Sequence, residues 1–269
     1  MRFTFFGKFC LEIFGSVVSV LMRAIPRSYR FGVAVGIVRT IPQALRHTLS
    51  PQLERRPGVS SLREVILGAM LEAMDDRRIR FDPLIIGSGF ESIHEALREH
   101  RGVLLIGTHA NGSLVRAAMR PIYDAGVPLT VIAISDRYPI CGAGLAIPAI
   151  RPVQNFMIKV RTQLRDAHVV CGMIDAFQQS PQRAHELRAT DGSIWVSDSL
   201  LRLAMACKAT IVFAAARLER NSELTITLQA ALEVQSPDDC RRQFILFFER
   251  HMTNTARGEA GCYSKVRVR

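Results

Sequence analysis

Short apolar runs, each closed by glycine or a polar residue, alternate with helical-period segments through the second half of the chain. Val103–Ile106 reads as a buried strand ended by Gly107-Thr108. From Ser113 to Ala125 the pattern turns helical, with Leu114, Val115, Ala117, Ala118 and Met119. Leu129–Ile134 is a second strand with a polar end, Ser135-Asp136-Arg137, and a Gly/Pro-rich loop over Ile140–Pro152 reads as a mobile lid. Asn155–Asp166 reads as a helix, Val169–Ile174 as a strand closed by Asp175, and 176–190 as a polar loop. A helix over Val196–Cys207, a strand over Thr210–Ala216 closed by Arg217, a strand over Leu224–Leu228 and a long helix over Pro237–Thr255 complete the series. This alternation predicts an α/β fold, a mostly parallel sheet flanked by helices.

The first third is helical in pattern. Pro57-Gly58-Val59-Ser60-Ser61 reads as a loop and N-cap before a helix over Leu62–Asp75, with Val65, Ile66, Ala69, Met70 and Met74 on one face. Phe81–Ile86 reads as a short strand, Gly87-Ser88-Gly89 as a turn and Phe90–His100 as a helix. Upstream, residues 30–55 form a basic helical region interrupted by Pro42. The apolar stretch Phe9–Met22 contains Glu12 and is shorter than the roughly 20 residues of a membrane span. Arg2 and Lys8 precede it, Arg23, Arg27 and Arg30 follow, and no small-x-small cleavage site appears. An amphipathic helix lying in a membrane interface fits this pattern better than a soluble packing helix, or than a single span or signal. The expected organisation is a membrane-associating helical region at 1–84 and an α/β domain at 85–269.

Composition narrows the partners. The chain has 269 residues, 48% of them hydrophobic, and a formal net charge of +11. Mean hydropathy is +0.14 and the pI is near 10.0. Such a balance favours anionic lipid headgroups or an acidic carrier protein. Nucleic acid is not expected: the basic residues are dispersed, aromatics stand at 7%, and no zinc-finger, RNP or helix-turn-helix pattern appears. The six cysteines have no C-x-x-C pair and lie in apolar company, which reads as buried free thiols without a metal site. His94 and His100 read as solvated, Asp191-Gly192 as a turn, and Trp195 as a core or interface anchor. Arg161 and Arg165 form a basic stripe on a helix face.

Three strand ends carry the candidate chemistry. His109, Asp175 and Arg217 each follow an apolar run, and in a parallel sheet all three meet at one edge. A base, an acid and a cation there make a catalytic group, although polar residues also end ordinary strands.

The ordered blocks GVLLIGTHANGSLV, LTVIAIS, MIKVRTQLRDAHVVCGMIDA and SDSLLRLAMACKATIVFAAARLERNSELTITL resemble the lysophospholipid acyltransferase superfamily, and within it the bacterial lipid A late acyltransferases of the lauroyl/myristoyl type. The resemblance spans roughly residues 15–255. It implies His109 as general base, drawing the proton from an acceptor hydroxyl or amine that attacks the thioester of acyl carrier protein or acyl-CoA. It implies an acid five positions on that steadies the imidazolium, with Arg137, Arg151 and Arg217 as contacts to anionic groups. It implies the cytoplasmic face of a bacterial inner membrane as location, anionic lipid as partner, and no cofactor or metal beyond the acyl donor.

The chain departs from that pattern. Leu114 stands where the acid belongs, Asp136-Arg137 lies slightly beyond the expected place of the family's arginine, and the tail GCYSKVRVR lacks the family's C-terminal signature. Three arrangements answer the first departure. Asn111 or Ser113 orients the ring as a neutral partner; Asp175 or Asp136 supplies the carboxylate from another strand; or acyl transfer has been lost and lipid or acyl-chain binding kept. Ser113 as an acyl-accepting nucleophile is a further option, for which no oxyanion hole is identifiable.

Overall fold

The computed structural model describes residues 17–40 apart from 19, 62–83, 85–108, 112–174, 184–189, 192–219, 223–256 and 267–268. After a helical segment at 17–24 come helices α1 (Arg27–Thr40) and α2 (Leu62–Asp76), strand β1 (Ile85–Ser88) and helix α3 (Glu91–Arg98). Then follow β2 (Val103–Gly107), α4 (Gly112–Val115), a 3-10 turn at Arg116–Ala118, α5 (Met119–Asp124), β3 (Leu129–Ile132), β4 (Arg137–Pro139) and β5 (Ala146–Ile150). The rest is α6 (Phe156–Arg165), β6 (Val169–Met173), β7 (Ala184–Ala189), β8 (Gly192–Ser197), α7 (Ser199–Ala206), β9 (Thr210–Leu218), β10 (Leu224–Ala230), α8 (Pro237–Ala256) and β11 (Arg267–Val268).

Eight strands form one sheet in the order β1-β10-β9-β2-β6-β3-β5-β4. The five central strands β9, β2, β6, β3 and β5 run parallel, so their C-terminal ends share one rim. β10 turns back antiparallel on β9, β1 runs parallel to β10, and β4 is antiparallel to β5. A small second sheet has the order β11-β7-β8.

β2 is buried at all five positions because both its faces are covered. Leu104 and Ile106 join Val170, Phe213, Val160, Leu200 and Phe244 under α6, α7 and α8. There Phe213 meets Phe244 edge-on at 5.5 Å between ring centroids. Val103 and Leu105 join Met22, Phe31, Val35, Leu67, Met70, Met74 and Leu114 on the opposite face. The helices before residue 84 therefore share a core with the sheet. At the other end of the chain, Ser236 caps α8: its Oγ accepts from the Asp239 amide at 3.1 Å and donates to Asp239 Oδ2 at 2.7 Å, with Pro237 in the first turn.

Several expected boundaries move, each for a physical reason. The Ile140–Pro152 stretch is not all loop. It contains β5, where Ile147 and Ile150 turn inward, and the parallel ladder to β3 starts at Ala149, just after Pro148, so the missing proline N–H breaks nothing. Part of the 176–190 stretch is strand β7, hairpinned to β8 with Ala189 opposite Gly192, and the following helix begins at Ser199 instead of Val196. The Asp-Gly signal at 191–192 marks that hairpin; Asp191 itself lies outside the described residues. The single helix expected over 113–125 is three short pieces, because Pro121 cannot donate the bond that would continue one ladder. The short strand expected over Phe81–Ile86 is Ile85–Ser88, and β9 continues through Leu218, which puts Arg217 inside a strand. No helix among the described residues is long and apolar enough to cross a membrane.

Candidate functional site

Register decides which predicted residues are neighbours. Gly107, the last residue of β2, pairs with Met173, the last of β6, and the Ile174 amide donates to the Gly107 carbonyl at 3.0 Å. On the other side of β2, Ile106 pairs with Phe213 of β9. The strands leading to His109, Asp175 and Arg217 are thus three adjacent parallel strands, β6-β2-β9. His109, Asn111 and Asp175 themselves lie outside the described residues. Ser113 is the second residue of α4, and its side chain also lies outside the description. The end of β2 lies close against α4. A Cβ on Gly107 would come within 2.8 Å of Val115 Cγ1.

The position where the resemblance implies an acid is closed to one. Leu114 is 2% exposed and packs in the core with Leu105 and Ala214. Of the two carboxylates proposed to replace it, Asp175 follows the strand next to β2, whereas Asp136 follows β3, two strands away or about 10 Å. Asp136 is also engaged by Arg151 at 2.9 Å, an exposed ion pair at the end of β5. The three arginines do not converge. Arg217 stands on β9 and Arg151 after β5, about 19 Å apart along the rim, and Arg137 is exposed at the start of β4.

Arg217 lies in a small cavity of about 60 Å³ between the end of β9, the start of β10 and the second half of α8. Thr225, Thr227, Glu219, Arg250 and His251 also line it. Arg217 Nη2 donates to Glu219 Oε2 at 2.9 Å. The His251 ring lies 4.6 Å from that of the buried Phe247, and burial, with Arg250 and Arg217, holds its pKa below the usual imidazole value.

The structure adds a buried ionic cluster behind the His109 block. Arg116, 2% exposed, donates from Nη2 to Asp75 Oδ2 at 3.0 Å and sits 3.8 Å from Glu72. It also donates to the Tyr138 hydroxyl. The other Asp75 oxygen accepts from the Gly142 amide at 2.8 Å. One pair thereby ties α2, the turn after α4 and the β4–β5 connection together. Burial pushes the Asp75 carboxyl up to about 6, while Arg116 and the Gly142 amide pull it back and keep it ionised at neutral pH. Gly142 is required there: its φ is +71°, and a Cβ would lie 2.2 Å from the Phe81 carbonyl oxygen. The sequence carried a sign of this cluster, since Arg116 is the one charge within Leu114–Met119.

A second buried carboxylate, Asp198, is 1% exposed and lies 3.2 Å from Arg241 Nε and 3.5 Å from Arg202. The adjacent Ser197 amide donates to the Ile174 carbonyl at 3.1 Å, so the end of β8 is braced against the end of β6.

The described thiols lie in or beside the core. Cys141, Cys171 and Cys240 are buried and free, and burial pushes the Cys141 and Cys240 thiols up to about 12, which leaves them un-ionised at neutral pH. His94, His100, Arg161 and Arg165 are exposed, as expected. Among the described residues no group of His, Cys, Asp or Glu could hold a metal ion. Compared with known proteins, the chain matches no family model and no curated sequence.

Proposed function

We propose that this protein is a membrane-associated acyltransferase of the lysophospholipid acyltransferase type. It moves an acyl group from an acyl carrier protein or CoA thioester to a hydroxyl or amine of a lipid, sugar or pathway intermediate. His109 is the base that takes the acceptor's proton as the acceptor attacks the thioester carbonyl, and the thiol of the carrier leaves. The observation that carries this reading is the adjacency of β6, β2 and β9, whose C-terminal ends lead to a carboxylate, a histidine and an arginine on one rim. Asp175 follows the strand nearest to that of His109 and is the first candidate to steady the imidazolium.

Membrane association has support of its own. In the helical segment before α1, Val17, Val20 and Leu21 are 54%, 69% and 56% exposed, while Val18 and Met22 pack inward. Arg23 and Arg27 follow on exposed positions, the arrangement of a helix lying on an anionic surface. Deleting residues 1–30 should release the protein from membranes, and unchanged partition would remove this segment as the anchor.

A second reading, an acyltransferase-like protein that binds lipid or acyl chains without transfer, is favoured by Leu114. A core leucine at the acid's position is packed where no carboxylate could replace it without cost. The two readings separate in one experiment: acyl transfer from acyl carrier protein and acyl-CoA donors by the wild type and by His109→Ala. Transfer by the wild type reduced at least 100-fold in the variant supports the enzyme. Equal transfer in both removes His109 as the base. Lipid binding without transfer in either favours the binding protein.

A further inference from the structure

We propose that the cavity between β9, β10 and α8 is a phosphate-binding site, built from Arg217, Arg250, His251 and the Thr225 and Thr227 hydroxyls. The argument starts from register. Thr225 pairs with Arg217 and Thr227 with Ala215, so these side chains share the sheet face that α8 covers. β10 buries Leu224, Ile226 and Leu228 on its other face, and this face is left hydroxylated where an amphipathic strand covered by a helix would ordinarily be apolar. Over the threonines α8 brings Arg250 and His251. The cavity's volume of about 60 Å³ suits a few waters or one tetrahedral oxyanion and is far too small for an acyl chain.

The chemistry of the lining selects an anion. Arg217 contacts Glu219 through one nitrogen, and a guanidinium carries five donors in a fork that matches phosphate. Arg39 reaches the same turn, donating to the Glu219 carbonyl oxygen at 3.4 Å. Glu219 is the carboxylate in the lining, and Glu223 lies on the same turn, its carbonyl accepting from the Glu219 amide at 2.8 Å. Two arginines and a histidine thus line the cavity with one carboxylate. Phe247, itself buried, packs against the imidazole and fixes its orientation before any ligand arrives. Burial first, and then the Arg250 and Arg217 charges, depress the His251 pKa, and those two charges are what a bound phosphate would neutralise. The cavity also lies one strand over from the strand that leads to His109, on the same rim.

Phosphate binding is independent of acyl transfer; only the phosphate's owner rests on the acyltransferase reading. That owner is either the pantetheine-bearing donor or the headgroup of a lipid acceptor. The test titrates inorganic phosphate into the full chain and follows the His251 imidazole by NMR, assigned with His251→Gln. Saturable binding that raises the His251 pKa is expected. Arg217→Gln and Arg250→Gln should each weaken it by roughly tenfold or more, Thr225→Val by less, and the exposed Arg98→Gln not at all. If chloride at equal ionic strength moves His251 as far, or if folded Arg217→Gln and Arg250→Gln bind phosphate like the wild type, the site is refuted. Coenzyme A and a soluble short-chain phosphatidic acid then compete with phosphate, and the stronger competitor names the owner. Phosphate binding that neither displaces supports the site and removes the acyltransferase account of its owner. Acyl transfer untouched by all three substitutions, with phosphate binding lost, supports the site, removes the acyl donor and acceptor as the phosphate's owner and leaves the acyltransferase reading standing.

Discussion

Two arginine–carboxylate pairs stand on opposite faces of the sheet and do different work. Arg116–Asp75 is sealed, with side chains 2% and 0% exposed, and it links α2, the turn after α4 and the β4–β5 connection. Arg217–Glu219 is open, with side chains 37% and 28% exposed, beside a cavity lined by further polar groups. Solvent accounts for the contrast. A buried pair cannot exchange its partner for water, so losing one half strands a charge. A half-exposed pair can, so it adds little to stability and can turn to a ligand.

The largest effect should come from breaking the sealed pair. Arg116→Met leaves the Asp75 carboxylate buried and should cost about 3–5 kcal/mol in denaturant unfolding at neutral pH. Asp75→Leu combined with Arg116→Met should recover most of that loss. A double variant no more stable than the single one would show that packing, not stranded charge, sets the cost.

The same pair gives a pH signature. Asp75 has a native pKa of about 6 against 3.8 for the ordinary carboxyl. Between those values the native state holds more protons than the unfolded chain, so this group's contribution is full below pH 3.8 and is lost as pH rises through about 6. Relative to Asp75→Asn, the wild type should lose up to about 3 kcal/mol across that window. A relative gain with rising pH would reverse the assigned direction.

Next in size is the joint that supports the pair. Gly142→Ala meets both the positive φ and the Phe81 carbonyl, and should cost about 2–3 kcal/mol. A stability within 0.5 kcal/mol of wild type, on the scale of an ordinary surface change, would mean that the connection relaxes freely. The smallest effect belongs to the open pair. Arg217→Gln should change stability by less than about 1 kcal/mol while weakening anion binding roughly tenfold or more. If it unfolds the protein instead, the two pairs are not different in kind.

The parallel core was legible because a doubly covered strand leaves a signature that survives without its neighbours. Val103–Ile106 and Val169–Ile174 are continuous apolar runs, and the structure makes both strands of the rim. β5 and β7 were hidden for opposite reasons. Ala146-Ile147-Pro148-Ala149-Ile150 carries a proline that reads as loop until the ladder is seen to start after it. Ala184–Ala189 carries His185, Glu186 and Arg188 around a lone Leu187 and becomes a strand only by pairing with β8. The site was legible in part: Arg217 was marked by ending an apolar run, and Arg250 and His251 were not marked, because α8's helical pattern says nothing about which turn lies over β10.

The sequence by itself determined the alternation of strand and helix, the basic surface and the strand that leads to His109, since each depends on residues close together in the chain. Tertiary structure alone decided which rim residues are neighbours. Strand order puts β2, β6 and β3 between Arg217 and Arg151, and puts the strand that precedes Asp175 closer than the strand that precedes Asp136 to the histidine's strand. It also brought Asp75 to Arg116 across 41 positions, because pairing between distant segments follows from register and burial that no local pattern encodes.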